Sequence, residues 1–507
     1  MGTRNEKAGV TAGLVGMMVV ISCSVALAEA PLPASPSIPP VKNISGGYDW
    51  IAKFHEIEER AHAHTGKNWI EPADAVLNQR KEIEWDRYLK ESMNLSDWVD
   101  LGIEHRIRFE VFDHPIAKNT TGETDPQLPL RTRVRFGLGG NGPVRFLFEG
   151  QDSRTYGNDE PGDFNNTTTV NEWDIQQLLG SLTAENLMGS GLRTDLHFGR
   201  MTLDFGRRRF IARNDFRNTT NAFDGFHWQV SQGKAWRFRA FLTEPVIRDD
   251  VKLDEQNKNN LFWGTYAESM QLPWFNWNAY YFGLNDQRQA NVNSHRTFST
   301  FGGRFYKNPK KSELDYELES TYQTGKRGNT DHFAFFQHLD VGYTFNLPWS
   351  PRFLLHYDYA SGDKNPNDTD DGRFDTLFGA RRFEFMPTGI VGPFFRTNFQ
   401  GGGWRIFLKP SKSVVLQLKQ RWWWLAQSKD SFGSSGLRDP SGDSGKYLGH
   451  DLEFRAQWKV SNNLDFDAGY WHWFKGSYFD RLPASANLPP GGDKDTDYFY
   501  VQMRVRL

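Results

Sequence analysis

From Asp97 to Leu507 the chain alternates apolar and polar residues with a period of two, and this constrains its fold more than any other feature. Leu101, Ile103, Ile107, Phe109 and Val111 interleave with Gly102, Glu104, Arg106, Arg108 and Glu110. Thr132, Val134, Phe136 and Leu138 interleave with Arg131, Arg133, Arg135 and Gly137, and Trp236, Phe238 and Ala240 with Arg237 and Arg239. The last stretch is the plainest: Phe499, Val501, Met503, Val505 and Leu507 share one parity, and Tyr500, Gln502, Arg504 and Arg506 the other. A strand sends alternate side chains to opposite faces, so each run has one greasy face and one charged face. A sandwich core accepts such strands, and so does a membrane barrel whose apolar face meets lipid.

Composition and connections decide between them. Mean hydropathy is −0.65, yet aromatic residues make up 15% of the chain, with 18 Trp and 40 Phe. A polar lumen diluting a lipid face, with aromatic girdles at both interfaces, gives that combination. Runs of barrel-spanning length number about eighteen from Asp97 onward. Short turns such as Gly140-Asn141-Gly142, Asn308-Pro309-Lys310 and Ser461-Asn462-Asn463 alternate with long links such as Gly206–Asn221, Gly362–Phe395 and Ser428–Lys446. Short turns on one rim and long loops on the other mark a transmembrane barrel. The expected fold is therefore all-β: a transmembrane antiparallel β-barrel of about 18 strands over residues 96–507. An even strand count puts both termini on the short-turn side, the periplasmic one in a Gram-negative outer membrane.

Residues 1–28 read as an export signal, with Arg4 and Lys7 before an apolar run and Ala26-Leu27-Ala28 as the cleavage site. Val20-Ile21-Ser22-Cys23 also resembles a lipoprotein box, which would make Cys23 a lipid-bearing first residue. Cleavage after Ala28 removes the single cysteine, excluding thiol catalysis and cysteine-held metal. Residues 29–95 read as a proline-rich linker and a helical periplasmic segment, a plug or a docking arm for periplasmic export machinery being alternative roles. Lys plus Arg is 60 and Asp plus Glu 62, a balance that points to no particular partner, nucleic acid included.

With the apolar parity toward lipid, the other parity lines a lumen. Arg106, Arg108, Arg131, Arg133, Arg135, Arg145, Arg193, Arg237 and Arg239 then form a basic wall, which Arg504 and Arg506 extend once the last strand closes on the first. Asp315, Glu317, Glu319, Asp340, Asp358, Asp451, Glu453, Asp465 and Asp467 load the later strands with acid, mixed with Arg405, Lys419, Arg421 and Arg455. Guanidinium rows conduct and select anions. The plainer reading is mutual neutralisation by carboxylates, because like charges packed so closely destabilise unless something answers them.

Phe198-Gly199-Arg200-Met201-Thr202-Leu203-Asp204-Phe205-Gly206-Arg207-Arg208-Arg209-Phe210, followed by Asn218 and Phe223-Asp224-Gly225, resembles a landmark of the alginate-export family of outer-membrane proteins. Ser361-Gly362-Asp363, Phe374 and Leu377-Phe378-Gly379 resemble a second one. The resemblance implies an eighteen-stranded barrel through which an anionic polysaccharide leaves the cell by an arginine-lined constriction. Arg200 and Arg208 carry over as family positions, and the loop around them as a constriction element. Arg207 stands where an acidic residue is common, and Asn221 and Ala222 where an arginine is expected; these departures bear on the solute, alginate itself.

Other signals weigh less. Gly442-Asp443-Ser444-Gly445 is like a serine-nucleophile loop but lacks the following glycine. Asp363 to Gly372 has the oxygen density of a calcium loop without the terminal glutamate. His62 and His64 could touch a metal, and Trp422-Trp423-Trp424 reads as a girdle anchor rather than a sugar platform. The expected function is thus an outer-membrane channel for anionic solutes, the expected substrate class an exported acidic polysaccharide such as alginate, with no enzyme activity, metal or cofactor. An uptake porin for small anions or nutrients is the alternative, and an outer-membrane hydrolase the alternative of another class.

Overall fold

In this computed structural model, residue 89 and residues 92–507 are described, apart from 117–123, 141, 158–166, 233–234, 270–271, 273, 288–293, 366, 381–393 and 462. The export signal, the linker, nearly all of the helical segment and His62 and His64 lie outside the described residues. Alternation builds the first strands: β1 (Val99–Asp113), β2 (Asp125–Leu138), β3 (Val144–Tyr156), β4 (Asn171–Ala184), β5 (Arg193–Met201) and β6 (Phe223–Gln232). Then come β7 (Trp236–Pro245), β8 (Asn260–Ser269), β9 (Asn276–Asp286), β10 (Arg296–Lys307), β11 (Leu314–Arg327) and β12 (Thr330–Thr344). The wall ends with β13 (Arg352–Ala360), β14 (Phe399–Leu408), β15 (Val414–Trp424), β16 (Tyr447–Lys459), β17 (Leu464–Lys475) and β18 (Thr496–Arg506). The sheet has 19 members; one is the two-residue ladder Asp370–Asp371 beside β12, which leaves eighteen in the wall.

Each strand pairs antiparallel with the next, and β18 pairs with β1, with Arg506 opposite Glu104 and Arg504 opposite Arg106. A closed sheet leaves no row of unpaired backbone groups, which is what hydrocarbon demands. Phe109, Val134, Phe198, Phe301, Phe305, Leu318, Leu339 and Leu355 are exposed on the outward parity, while Arg106, Arg108, Arg131, Glu317, Glu319, Asp451 and Glu453 are buried on the inward one. The sorting read from the sequence holds around the whole wall.

One rim carries links 139–143, 185–192, 233–235, 270–275, 308–313, 345–351, 409–413 and 460–463; the other carries 114–124, 157–170, 202–222, 246–259, 287–295, 361–398, 425–446 and 476–495. We call these the turn rim and the loop rim. The exception is Gly328-Asn329, a two-residue hairpin on the loop rim. What the alternation did not foretell is an apolar core inside the barrel. Leu203, Phe205, Phe210 and Ile211 from the link 202–222 bury themselves with Phe241, Phe262, Tyr266, Tyr280, Phe282, Phe336 and Phe374. The same core continues to Trp423, Trp471 and Trp473, packed with Phe394, Phe432 and Phe479, the Phe394 and Trp473 ring centres 4.8 Å apart. Trp423 therefore faces inward, unlike a girdle anchor; only Trp422 and Trp424 share the outward parity.

Candidate functional site: a charged strap across the lumen

The link 202–222 and residues 374–380 of the link 361–398 fold inward and meet. Phe378 N donates to Phe210 O at 2.9 Å, Ala212 N to Phe378 O at 3.1 Å and Ala380 N to Arg208 O at 2.7 Å. These are the two stretches that carry the family resemblance, so both landmarks belong to one device. A Cβ on Gly379 would lie 1.7 Å from the Arg209 carbonyl oxygen, closer than any side chain tolerates. Gly379→Ala is therefore expected to part the two strips while the wall stays closed. The check is unchanged heat-modifiable gel migration together with larger and noisier single-channel currents.

The strap carries complementary charge to each wall. At its near end, Arg207 Nε lies 3.3 Å from Glu317, and Arg209 pairs with Glu317 at 2.7 Å and with Glu319. Arg304 of β10 meets the same Glu317 at 2.7 Å. Further on, Arg213 pairs with Glu149 of β3. At the far end, Asp215 projects into the basic wall, 3.1 Å from Arg131, 2.5 Å from Arg133 and 3.4 Å from Arg504. Burial pushes the Asp215 carboxyl up, but Arg131, Arg133 and Arg504 outweigh it and hold it well below the usual carboxylate range.

The arginines also grip the strap's backbone. Arg106 donates to the carbonyls of Asp215, Phe216 and Arg217 and to Asn218 Oδ1, at 2.8 to 3.1 Å. Arg108 donates to Phe216 O at 2.5 Å and stacks over the Phe216 ring at 4.4 Å. Asn218 Nδ2 reaches the carbonyls of Leu130, Arg154 and Thr169. Glu104 completes the wall, between Arg131 at 3.0 Å and Arg506 at 3.2 Å. Charge-assisted bonds of this kind are the strong ones, and so many on one segment fix its path.

The sequence-selected arginines thus divide. Arg106, Arg108, Arg131 and Arg133 converge on residues 215–218, and Arg135 sits 3.5 Å from Glu149 beside Arg213. Arg237 and Arg239 share Glu268, and Arg239 stacks over Phe205 at 4.1 Å, anchoring the strap's start. Arg208 is buried within the strap in a left-handed conformation (φ 57°). Arg145 and Arg193 lie at the turn rim, both on Asp195. Arg200 stands apart: it shares the outward parity with Phe198 and is bidentate on Asp224 at 2.8 and 3.1 Å. Sequence reading missed Asp215, Arg209, Arg213 and Arg217; the dense run Arg213-Asn214-Asp215-Phe216-Arg217-Asn218 was the signal, and no period-two pattern orients a loop.

The profile described as "Alginate export" matches residues 97–487, the barrel and the strap together. The chain belongs to the alginate-export family. Its barrel also resembles outer-membrane proteins of Pseudomonas aeruginosa whose structures are solved: OccK8 (OprE), with 11% identity, 81% of this chain and 98% of that one covered and a TM-score of 0.55; OpdK, with 11%, 80% and 98% and 0.54; and OccD3 (OpdP), with 12%, 81% and 91% and 0.52. At such identities the likeness is one of fold. No curated protein sequence matches at a significant level. Family and fold are those of outer-membrane channels, not enzymes. The Ser444 hydroxyl lies in a turn, within hydrogen-bond reach of Asp439 Oδ2 at 2.7 Å and of Arg481 O at 3.0 Å. The oxygen-rich stretch from Asp363 is a run of side-chain-capped turns in which Asp371 is spent on Arg327 and His332. No metal-holding group of three or more His, Cys, Asp or Glu occurs among the described residues.

Proposed function

We propose that this family member is an outer-membrane channel for anionic solutes, and that the solute is an acidic polysaccharide such as alginate on its way out of the cell. The observation that carries the reading is Asp215: three arginines from two strands, Arg131 and Arg133 of β2 and Arg504 of β18, converge on one carboxylate inside the lumen. A wall that holds a carboxylate there has the chemistry to take successive uronate carboxylates, since guanidinium stays charged and replaces part of an anion's hydration. In this reading Arg106, Arg108, Arg131, Arg133 and Arg135, with Arg504 and Arg506, are the solute's wall. Glu104, Asp465 and Glu149 keep each contact weak enough to release. Arg145, Arg193, Arg237 and Arg239 extend or support it, Arg208 acts through the strap, and Arg200 only steadies the rim. The turn rim and both termini face the periplasm, where export machinery would deliver the polymer.

Planar-bilayer recording tests this. A channel of this kind carries mainly anions, and uronate oligomers added on the turn-rim side interrupt its current. Small-anion current that uronate oligomers leave untouched supports the uptake porin instead. Cation preference sinks both.

A further inference from the structure

The loop between β7 and β8 is tied to the barrel at a pair of acids. Ile247 and Glu255 exchange backbone hydrogen bonds of 2.9 and 3.0 Å, which closes the loop on itself. It docks on β4, where Glu172 N donates to Asp250 O at 2.9 Å and Asp254 N donates to Asp174 Oδ1 at 3.0 Å. Both acids are buried, Asp174 3% and Asp254 6% exposed. Asn171 Nδ2 donates to both oxygens of Asp254, and Gln176 Nε2 to Asp174 Oδ2 at 2.6 Å. Arg200 of β5 stays 3.9 Å from the Asp174 carboxyl, spends its guanidinium on Asp224 of β6 and reaches only the backbone carbonyl of Asp254, at 3.2 Å. Arg248 gives its hydrogen bonds to Thr220 O and Asn221 Oδ1, not to either acid, though its charge lies near enough to act on Asp254. Two buried acids side by side do not both ionise without a large loss of stability.

The pair is wired to the strap. Gln176 Oε1 accepts from the Thr220 hydroxyl, and Val246 N donates to Ala222 O at 3.0 Å. Asn221, held by Arg248, donates to Ala212 O at 2.9 Å and to Phe378 O at 3.2 Å, joining both inward links. We propose that Asp174 and Asp254 form a proton-sensitive clasp that holds the β7–β8 loop, and through it the lumen strap, in the closed arrangement. This regulation rests on the channel reading. A proton on Asp254 keeps its carboxyl neutral beside Asp174; its loss sets a second charge next to Asp174 and drives the loop off.

Burial, and then the Asp174 carboxyl beside it, push Asp254 up to about 7, with Asp249 N and Arg248 opposing. A raised acid is protonated preferentially in the docked state. Docking is therefore firmest in acid, weakens as pH rises from the ordinary carboxylate range toward 7, and changes no further above it.

Hydrogen exchange of backbone amides in 246–259, on the full chain in liposomes and corrected for intrinsic rates, reads the clasp without any current. Protection is expected to fall at least about tenfold between about pH 5 and about pH 8. Asp254→Asn, whose amide donates as the neutral acid does, keeps protection at both. Asp174→Asn abolishes the step as well. A wild type with equal protection at both pH values, or a full step surviving in Asp254→Asn, overturns the clasp. Protection restored by calcium at the higher pH overturns it too, making the pair a cation site. An exchange step in a barrel that passes no current would support the clasp and sink the channel reading.

Discussion

Asp215→Ala is expected to raise anion current and loosen the lumen strap more than any other single substitution. Its carboxylate answers Arg131, Arg133 and Arg504 at once. Stripping one partner from a fully buried ion pair typically costs about 3–5 kcal/mol, and Asp215, with 28% of its side chain exposed, stands at or below the lower end. Part of that returns through water reaching the freed arginines, and Arg106 and Arg108 still hold the backbone of residues 215–217. Even about 2.7 kcal/mol shifts the strap's docked-to-undocked ratio roughly a hundredfold. The lumen also loses a negative charge, so the reversal potential in a salt gradient moves toward that of a more anion-selective pore. Asp215→Asn keeps the shape without the charge and falls between. Because the surrounding arginines keep Asp215 ionised, these effects do not depend on pH near neutrality. Wild-type conductance and noise in Asp215→Ala would remove the strap from any part in gating.

The triple substitution of Arg131, Arg133 and Arg135 by Gln moves selectivity the other way. Each carboxylate these arginines touch has another cation: Arg506 for Glu104, Arg213 for Glu149, Arg504 for Asp215. The barrel is therefore expected to fold and insert. With three cations gone from one face, the anion preference shrinks or reverses, and block by uronate oligomers weakens at least about tenfold, the loss of one good charge-assisted contact. Selectivity that stays at the wild-type value would falsify the assignment of this wall as the filter. The two experiments share Asp215 and its partners yet predict opposite shifts, so a general loosening of the lumen cannot mimic both.

The sequence by itself determined the wall. Period-two alternation fixes which face each residue takes, so Phe499, Val501 and Met503 could be sent to lipid and Arg504 and Arg506 inward before any coordinates. The spacing of Gly- and Pro-rich joints gave strand number and the uneven rims, and the even count put both ends of the wall on the short-turn side. Tertiary structure alone decided what fills the lumen. A loop has no period to orient it, so nothing in Arg207 to Asn218 says that Arg209 meets Glu317 while Asp215 meets Arg131, contacts 108 and 84 positions apart in the chain (317 − 209 and 215 − 131). Parity names the face of Trp423 only if alternation is unbroken, and three consecutive tryptophans erase that signal; packing against Phe394 and Phe399 settles it. Arg200 shows the converse, placed by motif at a constriction and by strand parity on the outer face. Local sequence dictates the side of a sheet on which a residue lies because the backbone repeats every two residues, whereas the partner waiting on that side is set by closure of the barrel, which only the whole chain encodes.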